Sequence, residues 1–421
     1  MSSVYVAGRL GDSSTSPVIK WLATVLVFIL PISAHSAEAF NYTSIGLLVV
    51  SVAYFGINWR DITVSPVAKL FIMGSFAFPV AIAINMLVFG DWQSLWLDNP
   101  SRLILVLPIF MLMAHIRLNV VWLCVGILLS ACVFGWAAIY QGHFLGMVRV
   151  NGWITVLRSP ITFGNAALLF SAMSVATYSF IKPIIGFKWA VLIVFAAAGL
   201  AGYASLLSGT RGGWVSVPLL LMTLLCAGSK RPLLANGFAL LLAFLLFFVV
   251  YNTHGSVSGR IDSAWNELAS MVESGVFTGG SVGTRLEMWW AAVLLFVDAP
   301  VWGVGLGGYH DAKLALIEQG SVTSNISRFG YAHNEPLHYL AEMGLMGLLP
   351  LLGFYLTGFL LILKYIRFNK SLAVMAMLVL VFRFDISLTQ VQFVYHYTTL
   401  LYAMMFAVVA GLMCNPQYQD N

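Results

Sequence analysis

The sequence predicts an all-α polytopic membrane protein with about twelve transmembrane helices. Of its 421 residues, 60% are hydrophobic and only 9% are charged, whereas a soluble domain carries about 25% charged residues. Apolar runs of roughly 20 residues, long enough to cross a bilayer as a helix, recur along the whole chain. A helix satisfies its own backbone hydrogen bonds in lipid, so we interpret each run as a spanning helix.

The predicted spans divide the chain into five regions. A cytoplasmic tail (1–17) precedes nine helices (18–252), a large outer loop (253–338), three more helices (339–412) and a second tail (413–421). A cleaved signal peptide is the alternative for the first span. The individual spans are predicted at 18–36, 42–58, 66–90, 101–115, 117–140, 161–181, 187–206, 213–228, 231–252, 339–364, 371–388 and 394–412.

The distribution of lysine and arginine sets the predicted orientation. With the N-terminus in the cytoplasm, every lysine except Lys313 falls on the cytoplasmic side, while the outer side carries arginine almost exclusively. A solvated anchor can be either residue type. The outer arginines therefore indicate recognition by the forked guanidinium, which suits phosphate.

Two arginines lie beside short polar turns on the outer side. In the stretch SGTRGGW, Arg211 is followed by Gly212, Gly213 and a new helix. A charge at membrane depth costs roughly 2.5–3.5 kcal/mol, so it usually faces a cavity or partner, and glycines beside a helix N-terminus favour an anion. A short hairpin with a snorkelling arginine is the alternative. Arg158 precedes a second compact polar turn, and we expect it to contribute.

The outer loop contains two predicted amphipathic helices and a glycine-rich turn. One helix includes DSAWNELASMV, and the second, Arg285–Val297, is tryptophan-rich and suited to the membrane surface, with Arg285 in its first turn. The turn GVGLGG (303–308) matches G-x-G-x-x-G, but it follows a helix and Pro300 rather than a strand. We therefore predict a tight, close-packed loop and no dinucleotide site.

Two histidines flank the start of the next helix. Asn334 is a predicted N-cap and Pro336 suits the first turn, which places His333 at the positive end of the helix, where a histidine stays neutral as a general base should. His338 is five residues on, about 140° around a helix, so the pair cannot easily chelate a metal. Each histidine could instead be a satisfied interface residue.

Arg383 and Asp385 lie at the outer end of the eleventh predicted span. Residues two apart on a helix do not face each other, so we expect them to have different partners. They could line the cavity or hold the bundle together.

Taken together, these stretches resemble the O-antigen ligase and polymerase superfamily of bacterial membrane glycosyltransferases. The resemblance rests on the arginine of SGTRGGW, the R…W…P…GVG…G run from Arg285 to Tyr309 and the HN…L…E.G..G run from His333 to Gly347. It implies a GT-C-type helical fold in the bacterial inner membrane and a glycan donor carried on undecaprenyl diphosphate at the periplasmic face. A single large outer loop late in the chain favours the ligase, which uses lipid A-core as acceptor. A polymerase, a protein O-oligosaccharyltransferase and, from another class, a lipid-linked glycan flippase remain alternatives.

The resemblance and the motifs together give the predicted site. His333 is the expected catalytic base, with Arg211 and Arg285 clamping the diphosphate. Metal and other cofactors are not expected, and neither is nucleic acid; the expected partners are the donor, the acceptor and membrane lipids. The residues expected to bind substrate are Arg158, His338, Asn334, Gly212, Gly213, Tyr309 and Arg383.

Overall fold

The computed structural model describes residues 16–58, 62–152, 159–253, 255–277 and 279–418, without the side chains of Arg211, Ala227, Gly228 and Ser256. The described part of the chain is helical and contains no strand. Its α-helices are α1 Pro17–Ser33, α2 Ala37–Asn58, α3 Pro66–Phe89, α4 Ser94–Leu105, α5 Leu107–His115, α6 Val120–Ile139, α7 Pro160–Ala176, α8 Tyr178–Ile185, α9 Phe187–Ser208, α10 Arg211–Trp214, α11 Val217–Gly228, α12 Pro232–Thr253, α13 Gly255–Ser274, α14 Ser281–Asp298, α15 Tyr309–Glu318, α16 Glu335–Tyr365, α17 Lys370–Ser387 and α18 His396–Cys414.

The number of spans differs from the prediction. Within the described residues, eight helices are long and apolar enough to cross a membrane, or nine if the bent pair α7 and α8 forms one span. Each predicted span coincides with a helix, but α1 and α11 are short, with 17 and 12 residues. Helix α17 carries Lys370, Arg383 and Asp385 within 18 residues. The count of twelve is therefore not confirmed.

The bundle is organised around α18. All of its apolar window is buried, whereas only 6% of the window of α12 is buried. Helix α5 packs closely along α18, and α3 packs along α16. The apolar core extends from Ala23 of α1 to Met413 of α18. Helix α12 lies at the edge and contacts mainly α11 and α13.

A second, smaller core lies outside this bundle. It is built from α14, α15, the segment between α15 and α16, and the start of α16, and we call this unit the outer lobe (281–343). Its buried apolar residues include Met288, Leu295, Tyr309, Ile326 and Ala341. Helix α14 packs along α16, so α16 joins the two cores.

Helix α16 is broken at Gly344, where the backbone adopts φ 59° and ψ −149°. The turn that contains GVGLGG fills the break: the amide of Val304 donates to the carbonyl of Ala341, and the amide of Leu345 donates to the carbonyl of Pro300. A Cβ on Gly303 would come within 2.3 Å of the backbone of Glu342. The prediction of a tight, close-packed turn is confirmed, and irregular backbone is tolerated at this depth because protein surrounds it.

Candidate functional site

The site is built at the start of α16. Asn334 caps the helix, accepting a hydrogen bond of 3.1 Å from the amide of Leu337, and Pro336 occupies the first turn. Both predictions are confirmed. The residue just before the cap, His333, has φ +50° and is the single non-glycine residue of the described chain with positive φ. Such a backbone conformation costs about 1–3 kcal/mol and is concentrated at functional sites.

The His333 side chain lies beside Arg285. It is half-buried, and its ring packs edge-on against Phe329 with centroids 5.7 Å apart. Burial lowers the pKa of His333 below its ordinary value, and the nearby charge of Arg285 lowers it further. At neutral pH the ring is therefore an uncharged base next to a guanidinium.

Arg285 lies one turn further into α14 than the sequence predicts. The helix begins at Ser281, so the placement of Arg285 in the first turn was wrong. The carboxylate of Glu267, on α13, occupies the positive end of α14 and accepts a hydrogen bond of 2.7 Å from the amide of Val282. Arg285 is therefore not at the N-terminus of α14, and the partial positive charge of that helix end does not add to the charge that Arg285 exerts on His333.

The SGTRGG turn is fixed to two other helices. Thr210 donates to the carbonyl of Pro160, at the start of α7, over 2.9 Å, and the hydroxyls of Ser208 and Thr210 are 2.8 Å apart. A Cβ on Gly212 would come within 2.8 Å of Thr389, and one on Gly213 within 2.5 Å of Asn165. These two glycines therefore permit close packing around the backbone of Arg211.

The outer end of α17 connects this turn to the start of α16. Ser216, just after α10, donates to the carboxylate of Asp385. Two residues earlier on α17, Arg383 makes a forked ion pair with Glu335 at 2.8 and 3.2 Å. Glu335 lies two residues after His333, so the segment that follows Arg211 and the segment that follows His333 are anchored at the same end of α17. Arg158 lies outside the described residues.

The guanidinium of Arg383 is held by contacts within the protein. Its guanidinium, 5% exposed, also donates to the hydroxyl of Tyr355 over 2.8 Å. Glu335 further accepts the amides of Gln392 and Phe393. The expectation that Arg383 and Asp385 have different partners is confirmed, and both hold the bundle together. In the structure Arg383 fixes Glu335, and direct substrate binding by Arg383 stays a prediction.

Two other predicted binding residues are packed inside the outer lobe. Tyr309 is fully buried and donates to the carbonyl of Met288 over 2.9 Å. His338 is 1% exposed, lies 3.5 Å from Glu342, and has Tyr309, Tyr331 and Tyr339 around its ring. Both side chains are enclosed by protein around the start of α16, and the carbonyl side of the Asn334 amide is used by the cap. Substrate binding by these residues stays a prediction.

Two polar residues that hold the site, Glu287 and Asn85, were not among the predicted residues. Glu287, two residues after Arg285, is fully buried and accepts two hydrogen bonds from Thr323. Asn85 of α3 donates to the carbonyl of Trp302 over 2.9 Å and accepts from the amide of Leu306 over 3.1 Å, which ties the glycine-rich turn to the bundle. An isolated Asn or Glu in an apolar helix is the available signal, since such a residue needs a partner.

No group of three or more histidine, cysteine, aspartate or glutamate side chains is arranged to hold a metal ion within the described ranges.

Comparison with known proteins gives two findings. Residues 195–352 match the model of the family described as O-antigen ligase, so the resemblance is confirmed over a segment that contains Arg211, Arg285 and His333. The match supports a membrane glycosyltransferase of the O-antigen ligase and polymerase type. The chain is also 26% identical to an uncharacterized protein of Haemophilus influenzae over 329 residues, which are 76% of this chain and 79% of that protein.

Proposed function

We propose that this chain, whose residues 195–352 match the O-antigen ligase family, transfers an O-antigen glycan from undecaprenyl diphosphate to a sugar hydroxyl of lipid A-core at the periplasmic face of the inner membrane. One observation carries the proposal: a half-buried histidine held at positive φ beside an arginine, with its pKa lowered. This arrangement suits a general base that works next to an anionic leaving group.

The chemistry is a single displacement. A sugar hydroxyl of the acceptor loses its proton to the neutral ring of His333 while its oxygen bonds to the anomeric carbon of the donor. The bond from that carbon to the diphosphate oxygen breaks, and the diphosphate leaves with the electron pair. A positioned base contributes about 10²–10⁴ in rate. Attack opposite the leaving group inverts the anomeric configuration.

The arginines stabilise the charge that the diphosphate gains. Arg285, on α14, contributes from the outer lobe, and we assign Arg211, with Arg158, to the same anion from the bundle side. A hydrogen bond to a charged group is worth roughly 1.5–3 kcal/mol, and more where water is excluded. The segment after Arg211 and the start of α16, next to His333, are both attached to the C-terminal end of α17, which supports placing Arg211 near the proposed base. In this scheme the arginines stabilise the leaving group without a metal.

Purified protein in liposomes, supplied with undecaprenyl diphosphate-linked glycan and lipid A-core but no ion gradient, tests the function. The proposal predicts glycan-bearing lipid A-core with an inverted anomeric centre, formed equally in chelator. A longer glycan still on undecaprenyl diphosphate would indicate a polymerase. Translocation of unchanged donor without transfer would indicate a flippase, and activity restored only by Mn²⁺ would contradict the metal-free scheme.

Arg285→Ala provides the matched test of the anion clamp. We expect transfer to fall by about 10²–10³-fold, as when a single oxyanion donor is removed. Arg231→Ala, at an exposed arginine next to α12 on the predicted cytoplasmic side, serves as the control and should transfer at the wild-type rate. Full activity in Arg285→Ala would remove this arginine from the mechanism.

A further inference from the structure

Lys313 is a buried lysine that faces backbone carbonyls. Its residue is 0% exposed, in α15 of the outer lobe. The ammonium donates to the carbonyl of Phe329, lies 3.3 Å from the carbonyl of Ser327 and 3.5 Å from Nδ1 of His310. Among the described residues no carboxylate lies within ion-pair distance. A buried cation is costly unless hydrogen-bonded, so these acceptors must stay in place for the lobe to hold it.

The carbonyls that Lys313 binds belong to the segment that carries His333. Nδ1 of His310 also lies 3.2 Å from the carbonyl of Phe329, so two side chains of α15 meet at one peptide group. The ring of Phe329 then packs edge-on against His333, 5.7 Å away. The ammonium is thus one residue removed from the ring proposed as the base.

The same segment is held at its other end by α14. Glu287 binds Thr323, and the amide of Phe329 donates to the carbonyl of Ile326 over 3.1 Å. The segment 323–333 therefore runs between a carboxylate of α14 and an ammonium of α15 before the backbone turns to positive φ at His333. Unfavourable backbone conformations persist only where the surroundings impose them.

We propose that Lys313 is a positioning residue: its buried ammonium fixes the carbonyls of Ser327 and Phe329 so that Phe329 holds His333 beside Arg285. This inference rests on the proposed function, since it assigns Lys313 to the geometry of the proposed base. Substrate contact is not part of the role.

Burial lowers the pKa of Lys313 to about 8, so the ammonium can lose its charge within an accessible pH range. A neutral amine binds carbonyls less strongly than an ammonium does, and the positioning should weaken above that pH. The ionisable groups around the segment are Tyr309 and His310 on α15, Arg285 and Glu287 on α14, Arg328 within it, and His338 and Glu342 on α16. The variants below separate Lys313 from them.

Transfer rates of the full-length protein, normalised to folded protein, form the first test. Misplacement of a catalytic group by about 1 Å costs about 10²-fold, so Lys313→Met should lower kcat by about that factor and leave KM for the donor within about twofold. Lys313→Gln keeps two N–H donors and should retain more activity than Lys313→Met. Wild-type kcat should fall above about pH 8, and this alkaline limb should be absent from both variants.

Lys364→Met, at an exposed lysine near the end of α16, is the matched control. It should keep the wild-type kcat and the fall of kcat above about pH 8. A purely structural role for Lys313 would reduce the yield of folded protein but leave kcat and its pH profile unchanged, and that result would overturn the proposal. If no variant folds, the wild-type profile alone can still overturn the proposal: a kcat that does not fall above about pH 8 would contradict it.

Hydrogen–deuterium exchange separates this inference from the proposed function, because it needs no reaction. In Lys313→Met, amides of 327–333 should exchange at least about tenfold faster than in wild type, since a bond to a charged donor is lost, while amides of α14 should be unchanged. If the wild-type protein transfers no glycan but Lys313→Met still exchanges faster at 327–333, the proposed function is wrong. The proposal that Lys313 positions this segment is then still supported. Unchanged exchange at 327–333 would overturn the positioning.

Discussion

The start of α16 carries two basic clusters that differ in every physical respect except residue type. In the first cluster both side chains are buried: Arg383 forms a forked ion pair with Glu335, and His338 is packed in the outer lobe, 3.5 Å from Glu342. On the outer side, half-buried His333 lies beside Arg285, and the nearest charge it experiences is positive.

This difference shows which cluster holds the fold and which can perform chemistry. The buried guanidinium of Arg383 is already paired with the carboxylate of Glu335. A histidine kept uncharged by burial and by a neighbouring arginine can accept a proton, and the same arginine attracts an anion. Arginine and histidine near the start of α16 are therefore not equivalent, because the charge beside each group differs.

The largest effect should come from breaking the structural cluster. In Arg383→Met, the carboxylate of Glu335 remains buried without its partner, which costs about 3–5 kcal/mol. We expect a marked fall in thermal stability in detergent, measured by the loss of folded monomer on heating. The double variant Glu335→Gln/Arg383→Met removes both charges and should be less destabilised than Arg383→Met alone. Equal losses in the two proteins would contradict a paired structural role.

A smaller effect is expected at the residue that separates the two clusters. Asn334→Ala removes the N-cap of α16 and should cost about 1 kcal/mol of stability, whereas Asn334→Asp keeps a cap oxygen and should cost less. Transfer per folded molecule should be preserved in Asn334→Asp. If Asn334→Asp were as stable as wild type but inactive, the amide would have a role in substrate binding beyond capping.

The smallest effect is a shift in a titration. The charge of Arg285 lowers the pKa of His333, so neutral His333 persists to more acidic pH than an ordinary histidine. Arg285→Gln should raise the pKa of His333, so that a smaller fraction of His333 side chains is neutral at acidic pH. Diethyl pyrocarbonate modifies the neutral ring, and mass spectrometry of the His333 peptide across pH gives the midpoint without requiring activity. A midpoint that is unchanged in Arg285→Gln would show that the two groups do not interact.

Local features of the fold could be predicted from the sequence, because they depend on residues close in the chain. Asn334 and Pro336 specify the start of α16 through capping and a fixed φ, and the structure confirms both. Apolar runs locate helices in the same way. Their boundaries were less accurate: α14 begins four residues before Arg285, since Glu267 on another helix caps it.

Partners distant in the chain could not be predicted. Glu335 pairs with Arg383, which is 48 residues away in the chain. The sequence around each residue does not identify the other as its partner. Tyr309 and His338 have the composition of a ligand site but lie in the core of the outer lobe. The positive φ of His333 also depends on packing, because the residue types around it do not require it. Residue types predict the candidate site, whereas the partners of each of its residues depend on tertiary contacts.

The central claim is that His333 accepts the proton in glycan transfer, and the variant His333→Asn tests it most directly. Asparagine adopts positive φ more readily than most residues, so the backbone should be kept while the base is lost; His143→Ala, at an exposed histidine that bonds Tyr203, is the control. Single-turnover transfer from undecaprenyl diphosphate-linked glycan should fall by about 10²–10⁴-fold in His333→Asn with unchanged thermal stability. Transfer at the wild-type rate in folded His333→Asn would contradict the account.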